Sequence, residues 1–332
     1  MNKVKVFGTL GPACSKRETL IEMFREGMDG MRLNLSHTTL KEAAALIEAY
    51  HSAARFCGID AELLIDLQGP ELRIGDIEPM ELTAGSLIDL QSIPFPQTVI
   101  DTLAAAENGA EVLIDDGKML LKAEKSLTGC LLRVVRGGVL TLRKSVALPG
   151  YSINTPALTE YDKQQLSMAK EFGVTGIMQP FVRGKDDLEE VRSEMELHGC
   201  GGMKLFAKIE NAVGVNKLVE LLPCCDEIVI ARGDLGNSME LWQLPAVQKH
   251  VSTVCRAAGH RFTVVTQMLD SMIDRPVPTR AEVSDIFNAV LDGASSVMLT
   301  GETASGKYPV QAIRYMAKTV REAEAFIARP DD

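Results

Sequence analysis

Short runs of consecutive apolar residues alternate along the chain with longer segments in which apolar residues recur every three or four positions. The first pattern indicates parallel strands covered on both faces, and the second indicates amphipathic helices. Strands are predicted at residues 4–8, 30–34, 62–66, 176–180, 204–209, 227–231, 262–266 and 296–300. Helices are predicted at residues 16–27, 40–55, 160–172, 185–197, 244–258 and 282–291. Eight strand–helix units in one α/β chain favour a TIM (β/α)8 barrel over an open sheet.

One segment departs from this alternation. Residues 76–147 contain short stretches of alternating apolar and polar positions, separated by turns that contain glycine. This pattern is typical of β-hairpins, so we predict a small inserted β domain after the third strand, in the position of a lid. The predicted domains are therefore the first part of the barrel at 1–75, the insertion at 76–147 and the second part of the barrel at 148–332.

Composition and charge narrow the classes of function. The chain has 332 residues, of which 46% are hydrophobic and 24% charged, and its formal net charge is −10. It has no basic stretch or long apolar run, so we expect it to bind neither nucleic acid nor a membrane. An odd total of seven cysteines without a CxxC pair argues against a disulfide framework and favours a cytoplasmic protein.

Polar residues follow the predicted strands at their carboxyl ends, where active sites of β/α barrels form. They include Arg32, Asn34, Ser36, Asp66, Glu71, Arg73, Lys208, Glu210, Asp234, Thr266, Thr300 and Glu302. Glu210 and Asp234 are hard oxygen ligands suited to Mg²⁺ or Mn²⁺. Lys208 shares a strand face with Glu210 and could stabilise a developing enolate or phosphoryl charge. Arg32 and Arg73 offer planar donors for phosphate oxygens.

Each of these features has a simpler interpretation. A Lys-x-Glu sequence is commonly a solvated surface pair, and Asp115-Asp116 before Gly117 is typical of a hairpin turn. Residues 301–307 nearly match the phosphate-binding loop GxxxxGK[ST]. However, Tyr308 takes the place of the hydroxyl residue that would hold magnesium, which disfavours that interpretation.

Ten motifs in order resemble the pyruvate kinase family. They are TLGPA, MRLNLSH, DLQGPELRIG, IDDG, LPGYSINTPALTEYD, AKIEN, ARGDLG, TQMLDSM, PTRAEVSDIFNAVLDGA and TGETASGKYP. Together they cover both predicted barrel segments almost from end to end. The resemblance implies phosphoryl transfer from phosphoenolpyruvate to ADP, giving pyruvate and ATP, with Mg²⁺ (or Mn²⁺) and K⁺ as cofactors.

The resemblance also implies residue roles. Mg²⁺ would be bound by Glu210 and Asp234, and K⁺ by Asn34, Ser36, Asp66 and Leu67, with Glu71 associated with potassium dependence. The catalytic residues would be Lys208, Arg32, Arg73, Thr266, Thr300 and Glu302. The substrate would contact Gly233, Asp234, Thr266 and Lys208. The nucleotide would contact Arg32, Asn34, Pro12 and His37, and Asp116 would belong to the lid.

Several positions depart from the family pattern. Tyr161 stands where a lysine contacts ATP in the family, Pro180 replaces a serine, and Gln68 replaces a lysine. The sequence after Gly236 also differs from the usual pattern. Nothing before residue 332 resembles the family's C-terminal regulatory domain, so we expect no effector site in this chain.

Three hypotheses of function follow. The first is a minimal pyruvate kinase. The second is a divergent enzyme that performs metal-assisted enolate chemistry on a 2-oxo or phospho-enol acid, with another acceptor or none. The third is a non-catalytic binding protein. The PTRAE region resembles a barrel–barrel interface of the family, so a homodimer is predicted as well.

Overall fold

The computed structural model describes residues 3–70, 72–115, 117–126, 129–151 and 155–329. Contacts between Cα atoms divide the chain into two compact units. The larger unit comprises residues 1–69, 157–236 and 241–332, and the smaller one comprises residues 70–156 and 237–240. The smaller unit is thus longer at both ends than the insertion delimited from the sequence at 76–147.

Within the described residues, eight parallel strands of the larger unit close into a barrel. They are β1 (Lys5–Thr9), β2 (Gly30–Asn34), β3 (Glu62–Asp66), β11 (Gly176–Gln179), β12 (Lys204–Ile209), β13 (Glu227–Ala231), β14 (Arg261–Val265) and β15 (Ser296–Met298), and β4–β10 belong to the smaller unit. Each strand lies within two residues of its predicted limits. The predicted TIM barrel is therefore confirmed.

Helices surround the barrel. They are α1 (Arg17–Glu26), α2 (Ala44–Cys57), α4 (Glu160–Ala169), α5 (Lys185–Leu197), α6 (Ala212–Asn216), α7 (Leu218–Leu221), α8 (Arg232–Asn237), α9 (Leu244–Ala257), α10 (Arg280–Leu291), α11 (Gly301–Ala304) and α12 (Pro309–Ile327). Short 3-10 helices occur at Pro12–Cys14, Leu222–Cys224, Leu241–Gln243 and Asp270–Ile273. No helix in the described part of the chain is long and apolar enough to span a membrane.

The barrel interior is layered because alternate residues of a strand share one face. A buried apolar cluster in this interior is formed by Phe7, Leu64, Met178, Phe206, Val229, Ala231, Val265 and Met298. Two residues further along their strands, Asp66 follows Leu64 and Lys208 follows Phe206. Strand periodicity therefore places these charged side chains directly above an apolar layer, at the carboxyl end of the barrel.

The smaller unit is antiparallel. One sheet has the strand order β10-β6-β7-β8-β5, and a second sheet pairs β4 with β9. The strands are β4 (Met80–Leu82), β5 (Leu87–Asp89), β6 (Glu111–Ile114), β7 (Met119–Ser126), β8 (Gly129–Arg136), β9 (Gly138–Leu140) and β10 (Val146–Ala147). A 3-10 helix lies at Leu90–Ser92 and a helix, α3, at Gln97–Ala105. The prediction of hairpins alone missed α3, in which Val99 and Leu103 are buried one turn apart.

Candidate active site

A row of alternating charges lies at the carboxyl end of the barrel. Arg32 Nη2 is 2.7 Å from Asp66 Oδ2, and Lys208 Nζ is 3.1 Å from the same oxygen. Lys208 Nζ is also 2.9 Å from Glu210 Oε1. The two carboxylate side chains are 1% exposed and the two cationic ones 12%. Each buried charge therefore has a partner of opposite sign, as burial requires.

The charge state of Lys208 follows from this row. Burial alone would lower the pKa of Lys208, but the carboxylates of Asp66 and Glu210 outweigh it and raise the pKa above that of a free lysine. Lys208 is therefore a permanent cation at physiological pH. Arg32 adds a further donor, because its buried Nε has no hydrogen-bond acceptor among the described residues.

Glu210 is held from two sides. Its Oε2 accepts a hydrogen bond of 2.7 Å from the amide of Phe181, a residue with a left-handed φ of 55°. Burial raises the pKa of Glu210; Lys208 opposes this increase, whereas Asp234 adds to it. Asp234 lies in the first turn of α8 and is half-buried. A carboxyl group whose ionisation is disfavoured by a neighbouring carboxylate marks a place where a cation would be stabilised.

Glu210 and Asp234 fit a divalent cation in their chemistry. No group of three or more His, Cys, Asp or Glu side chains able to hold a metal occurs among the described residues. Glu210 and Asp234 each carry carboxylate oxygens, the ligand type that hard divalent cations prefer. Mg²⁺ suits such a site, because it is commonly bound by one or two carboxylates together with water and substrate oxygens.

Thr266 and Gly233 meet beside this pair of carboxylates. Thr266 has a φ of 81° and Gln267 a φ of 53°, so both residues are in the left-handed region. This conformation is rare for a β-branched residue such as threonine. A Cβ at Gly233 would lie 3.1 Å from Thr266 Cγ2, which is tighter than most contacts of a real Cβ. The carbonyl oxygen of Thr266 accepts hydrogen bonds from Arg232. Strained backbone of this kind is concentrated at functional sites.

The residues predicted to bind K⁺ lie where β2 and β3 end. Asn34 and Asp66 are direct partners across the two strands, and the amide of Leu35 donates to the Asp66 carbonyl at 2.9 Å. Asn34 Oδ1 accepts a hydrogen bond of 3.1 Å from the amide of Ser36. Leu67 follows Asp66 and is buried. Strand pairing therefore places Asn34, Ser36, Asp66 and Leu67 on adjacent strand ends.

The residues predicted to contact the nucleotide lie on neighbouring loops. Pro12 begins the 3-10 helix that follows β1, and His37 lies in the turn that follows β2. Both are exposed. This turn is also contacted by Tyr161, whose hydroxyl lies 2.9 Å from the carbonyl oxygen of Leu35.

Thr300 and Glu302 are joined by hydrogen bonds. Glu302 is 1% exposed, and it accepts hydrogen bonds from the amide of Leu269 at 3.0 Å and from the amide of Thr300 at 2.7 Å. The Thr300 hydroxyl donates to Glu302 Oε2 at 3.1 Å. Glu302 therefore connects the loops that follow β14 and β15, and its predicted catalytic role stays a prediction.

The near match to a phosphate-binding loop has a different structure. The amide of Gly306 donates to the Gly301 carbonyl at 2.8 Å, and a Cβ at Gly306 would lie 2.5 Å from the Glu302 carbonyl oxygen. These glycines serve a compact turn around α11 and not an anion cradle, which supports the exclusion made from Tyr308.

One predicted residue, Arg73, lies in the smaller unit, and two others are not described. Arg73 belongs to the smaller unit, where its Nη1 donates to the Arg143 carbonyl at 2.8 Å. Asp115 begins the turn between β6 and β7 with a φ of 53°. Glu71 and Asp116 lie outside the described residues.

Sequence reasoning overlooked Arg232, Phe181 and Asp162 as parts of the site. Arg232 follows the apolar strand β13 directly, so its position at a strand end was a signal. Asp162 is three residues after Thr159, the spacing of a capping box, and both bonds of that box are present. The contribution of Phe181 had no sequence signal, because it is made by the backbone amide.

Comparisons with known proteins show the family of this chain. Residues 1–313 match the pyruvate kinase barrel domain. The chain is 37% identical to the pyruvate kinase of Aeropyrum pernix over 95% of its own length and 69% of the relative's. It is 36% identical to that of Bacillus licheniformis over 98% of its own length, but spans only 57% of that protein. For the pyruvate kinase of Methylorubrum extorquens the identity is 38%, over 97% of this chain and 69% of the relative. The chain therefore belongs to the pyruvate kinase family, as its ten motifs indicated.

Proposed function

We propose that this chain transfers the phosphoryl group of phosphoenolpyruvate to ADP, giving pyruvate and ATP, and that it needs Mg²⁺ and K⁺. The observation that carries the proposal is the buried row Asp66–Lys208–Glu210 beside Asp234. It combines the ammonium of Lys208 with the carboxylates of Glu210 and Asp234, which are suited to a hard metal ion. Phosphoryl transfer depends mainly on positioning and on electrostatic stabilisation of this kind.

The roles of the side chains follow from their charges. The ammonium of Lys208 would stabilise negative charge on the transferring phosphoryl group and on the enolate that is left. The unpaired Nε of Arg32 would donate to a phosphate oxygen. The Thr266 hydroxyl, with the amides of Gly233 and Asp234, would hold the carboxylate of the substrate. A divalent cation held by Glu210 and Asp234 would neutralise charge on the substrate oxygens.

The monovalent cation would be held by Asn34, Ser36, Asp66 and the carbonyl of Leu67. All four positions offer oxygen atoms on adjacent strand ends. Arg73 would contribute to phosphate binding, and Thr300 would contribute to delivery of a proton to the enolate. Pro12 and His37, on the exposed loops after β1 and β2, would contact the nucleotide.

The test is an assay of pyruvate formation from phosphoenolpyruvate, with and without ADP, in the presence of Mg²⁺ and K⁺. We expect turnover that requires ADP, is abolished by chelation of divalent cations, and falls by about 10³-fold or more in Lys208→Ala. Lys204→Ala is a matched control, because Lys204 lies on the same strand but at its opposite end. Absence of ADP-dependent turnover in the wild type would refute the proposal.

One observation favours a second candidate, the divergent enzyme with another acceptor. The hydroxyl of Tyr161 makes internal contacts, and this position offers no positive charge to a nucleotide phosphate. Exchange of the methyl protons of pyruvate with deuterated water separates the two candidates. Metal-dependent exchange without any ADP-dependent turnover would favour the divergent enzyme.

We also propose a homodimer and a cytoplasmic location. Trp242 is 76% exposed and Val277, just before the PTRAE region, is 55% exposed, so both apolar side chains are accessible to a second copy of the chain. All seven cysteines are free thiols, which suits a reducing compartment. Sedimentation velocity should give a dimer that Trp242→Asp weakens. A monomer at micromolar concentration would refute the dimer.

A further inference from the structure

We propose that Tyr161 is a positioning residue that fastens the turn after β2 and thereby sets the affinity for the nucleotide. The inference rests on the proposed function, because it assigns the turn at residues 35–38 to the nucleotide side of that site. The attachment of the turn by Tyr161 does not depend on that function, because the hydrogen-bond contacts alone support it. The experiment below separates the two.

The contact joins distant parts of the barrel unit. The Tyr161 hydroxyl lies 2.9 Å from the carbonyl oxygen of Leu35 and 2.8 Å from that of Thr38. A phenol carries one proton, so it can share that proton between the two carbonyls or donate to one at a time. Either way, one side chain of α4 bridges the two ends of the turn. Ser36 and His37 lie between those ends.

The turn has internal support at its first residue. Asn34 Oδ1 accepts from the amide of Ser36 at 3.1 Å, and the Asn34 carbonyl accepts from the amide of His37 at 3.3 Å. These local bonds shape the turn but do not attach it to the rest of the barrel unit. Tyr161 attaches the turn to α4 through the carbonyls of Leu35 and Thr38.

The same helix makes two further attachments. Gln165, one turn after Tyr161 on α4, accepts a hydrogen bond of 2.9 Å from the amide of Leu40. Asp162 accepts from the amides of Gln68 at 2.8 Å and Gly69 at 3.1 Å. Asp162 is fully buried and is itself fixed by its capping box. The first half of α4 therefore anchors the loops that follow both β2 and β3.

The chemistry of the phenol suits a positioning role. Burial, with the nearby carboxylates of Asp162 and Glu42, raises the pKa of Tyr161 to about 12. The hydroxyl is thus neutral and remains a donor across the physiological range. It cannot attract a nucleotide phosphate by charge. Its influence on the nucleotide must act through the position of the turn that carries Ser36 and His37.

The experiment compares Tyr161→Phe with the wild type. This change removes only the hydroxyl oxygen and leaves the ring. Loss of one hydrogen bond should raise the KM for ADP by about 3- to 10-fold. The KM for phosphoenolpyruvate and the ADP-independent exchange of pyruvate protons should change less than about twofold. Hydrogen exchange of amides 36–38 should accelerate, whereas that of amides 68–69, which Asp162 holds, should not.

Tyr50→Phe is the matched control. The Tyr50 hydroxyl also donates to a main-chain carbonyl, that of Glu62, at 2.7 Å, and Tyr50 is fully buried. Glu62 begins β3, at the end opposite the proposed site. Tyr50→Phe should lower stability to a similar extent without changing the KM for ADP.

Three outcomes would overturn the inference. An unchanged KM for ADP in Tyr161→Phe would contradict the effect on nucleotide affinity. Unchanged exchange of amides 36–38 would contradict the fastening of the turn. Equal increases in both KM values, matched by Tyr50→Phe, would indicate general destabilisation. If the wild type shows no ADP-dependent turnover, the proposed function and the nucleotide role fail together. Accelerated exchange of amides 36–38 alone would then still establish the fastening.

Discussion

The guanidinium of Arg232 donates two hydrogen bonds to the main-chain carbonyl oxygen of Thr266, at 3.1 Å from Nε and 2.7 Å from Nη2. Its Nη1 is 2.7 Å from Asp285 Oδ2, on α10. The arginine therefore connects a helix outside the barrel to the strained residue at the end of β14. Because Arg232 directly precedes Gly233 and Asp234, it also fixes the start of α8.

We predict that Arg232→Lys lowers kcat/KM for phosphoenolpyruvate by about 10- to 100-fold, because a lysine cannot reproduce the planar fork on the Thr266 carbonyl. The KM for ADP should stay within about twofold. Steady-state kinetics with each substrate varied in turn will measure both.

Arg192→Lys serves as the control for this arginine. Arg192 pairs with Asp226 at 2.9 Å and also donates to the Met203 carbonyl, but it contacts none of the site residues named above. Its replacement should leave the kinetics unchanged. A loss of activity as large as that of Arg232→Lys would show that the effect is not specific to Thr266.

Gly233→Ala should impair the same subsite by a different route. The new Cβ would lie 3.1 Å from Thr266 Cγ2, which is tighter than ordinary packing, so Thr266 must shift. We expect about a tenfold loss in kcat/KM for phosphoenolpyruvate, with circular dichroism unchanged. Gly202→Ala is the matched control, since a Cβ there would meet nothing within 4 Å. Full activity of Gly233→Ala would argue against a role for the Thr266 position.

Glu227 supports the opposite end of the barrel. It is 2% exposed, and it accepts hydrogen bonds from Thr263 Oγ1 at 2.6 Å and Ser296 Oγ at 3.0 Å, while Arg261 Nε lies at 2.9 Å. Glu227→Ala leaves these donors without their acceptor and should destabilise the protein by roughly 1–3 kcal/mol. The midpoint of urea unfolding measures the loss.

The exposed pair of Glu48 and Arg55 provides the comparison for Glu227. Its side chains are 70% and 66% exposed, and surface pairs of this kind contribute little. Glu48→Ala should leave the urea midpoint almost unchanged. Equal midpoints for the two variants would contradict a structural role for Glu227.

The capping box of α10 predicts a dependence of stability on pH. Glu282 accepts hydrogen bonds from Ser271 and Thr279, and these outweigh burial, so the pKa of Glu282 is lowered from 4.5. A carboxyl with a lowered pKa in the folded state stabilises the protein above its unfolded pKa. That contribution disappears as the pH falls through the folded pKa.

Glu282→Gln should therefore lower the urea midpoint at pH 7 but converge with the wild type toward acid pH. Unfolding titrations at several pH values between 7 and 3 will measure the difference. Glu189→Gln, a change at an exposed position on α5, should show no such convergence. A constant difference across the range would mean that ionisation of Glu282 does not stabilise the cap.

Much of the barrel was predictable because its strands and helices have a local signature. The strands at 30–34, 62–66, 204–209 and 227–231 were predicted with the limits that the structure has. Helix α3 was missed since it has only nine residues and lies among alternating strands. Lys208 and Glu210 could be placed together from their spacing, because alternate residues of one strand share a face.

The apolar periodicity was sufficient to predict the barrel, the inserted β domain and the clustering of polar side chains at the strand ends. The tertiary structure was needed to identify the partners of those side chains. Arg232 and Thr266 are 34 residues apart, and Tyr161 and Leu35 are 126 residues apart. No local pattern encodes such contacts, because they exist only after the barrel has closed and has brought the ends of its strands together.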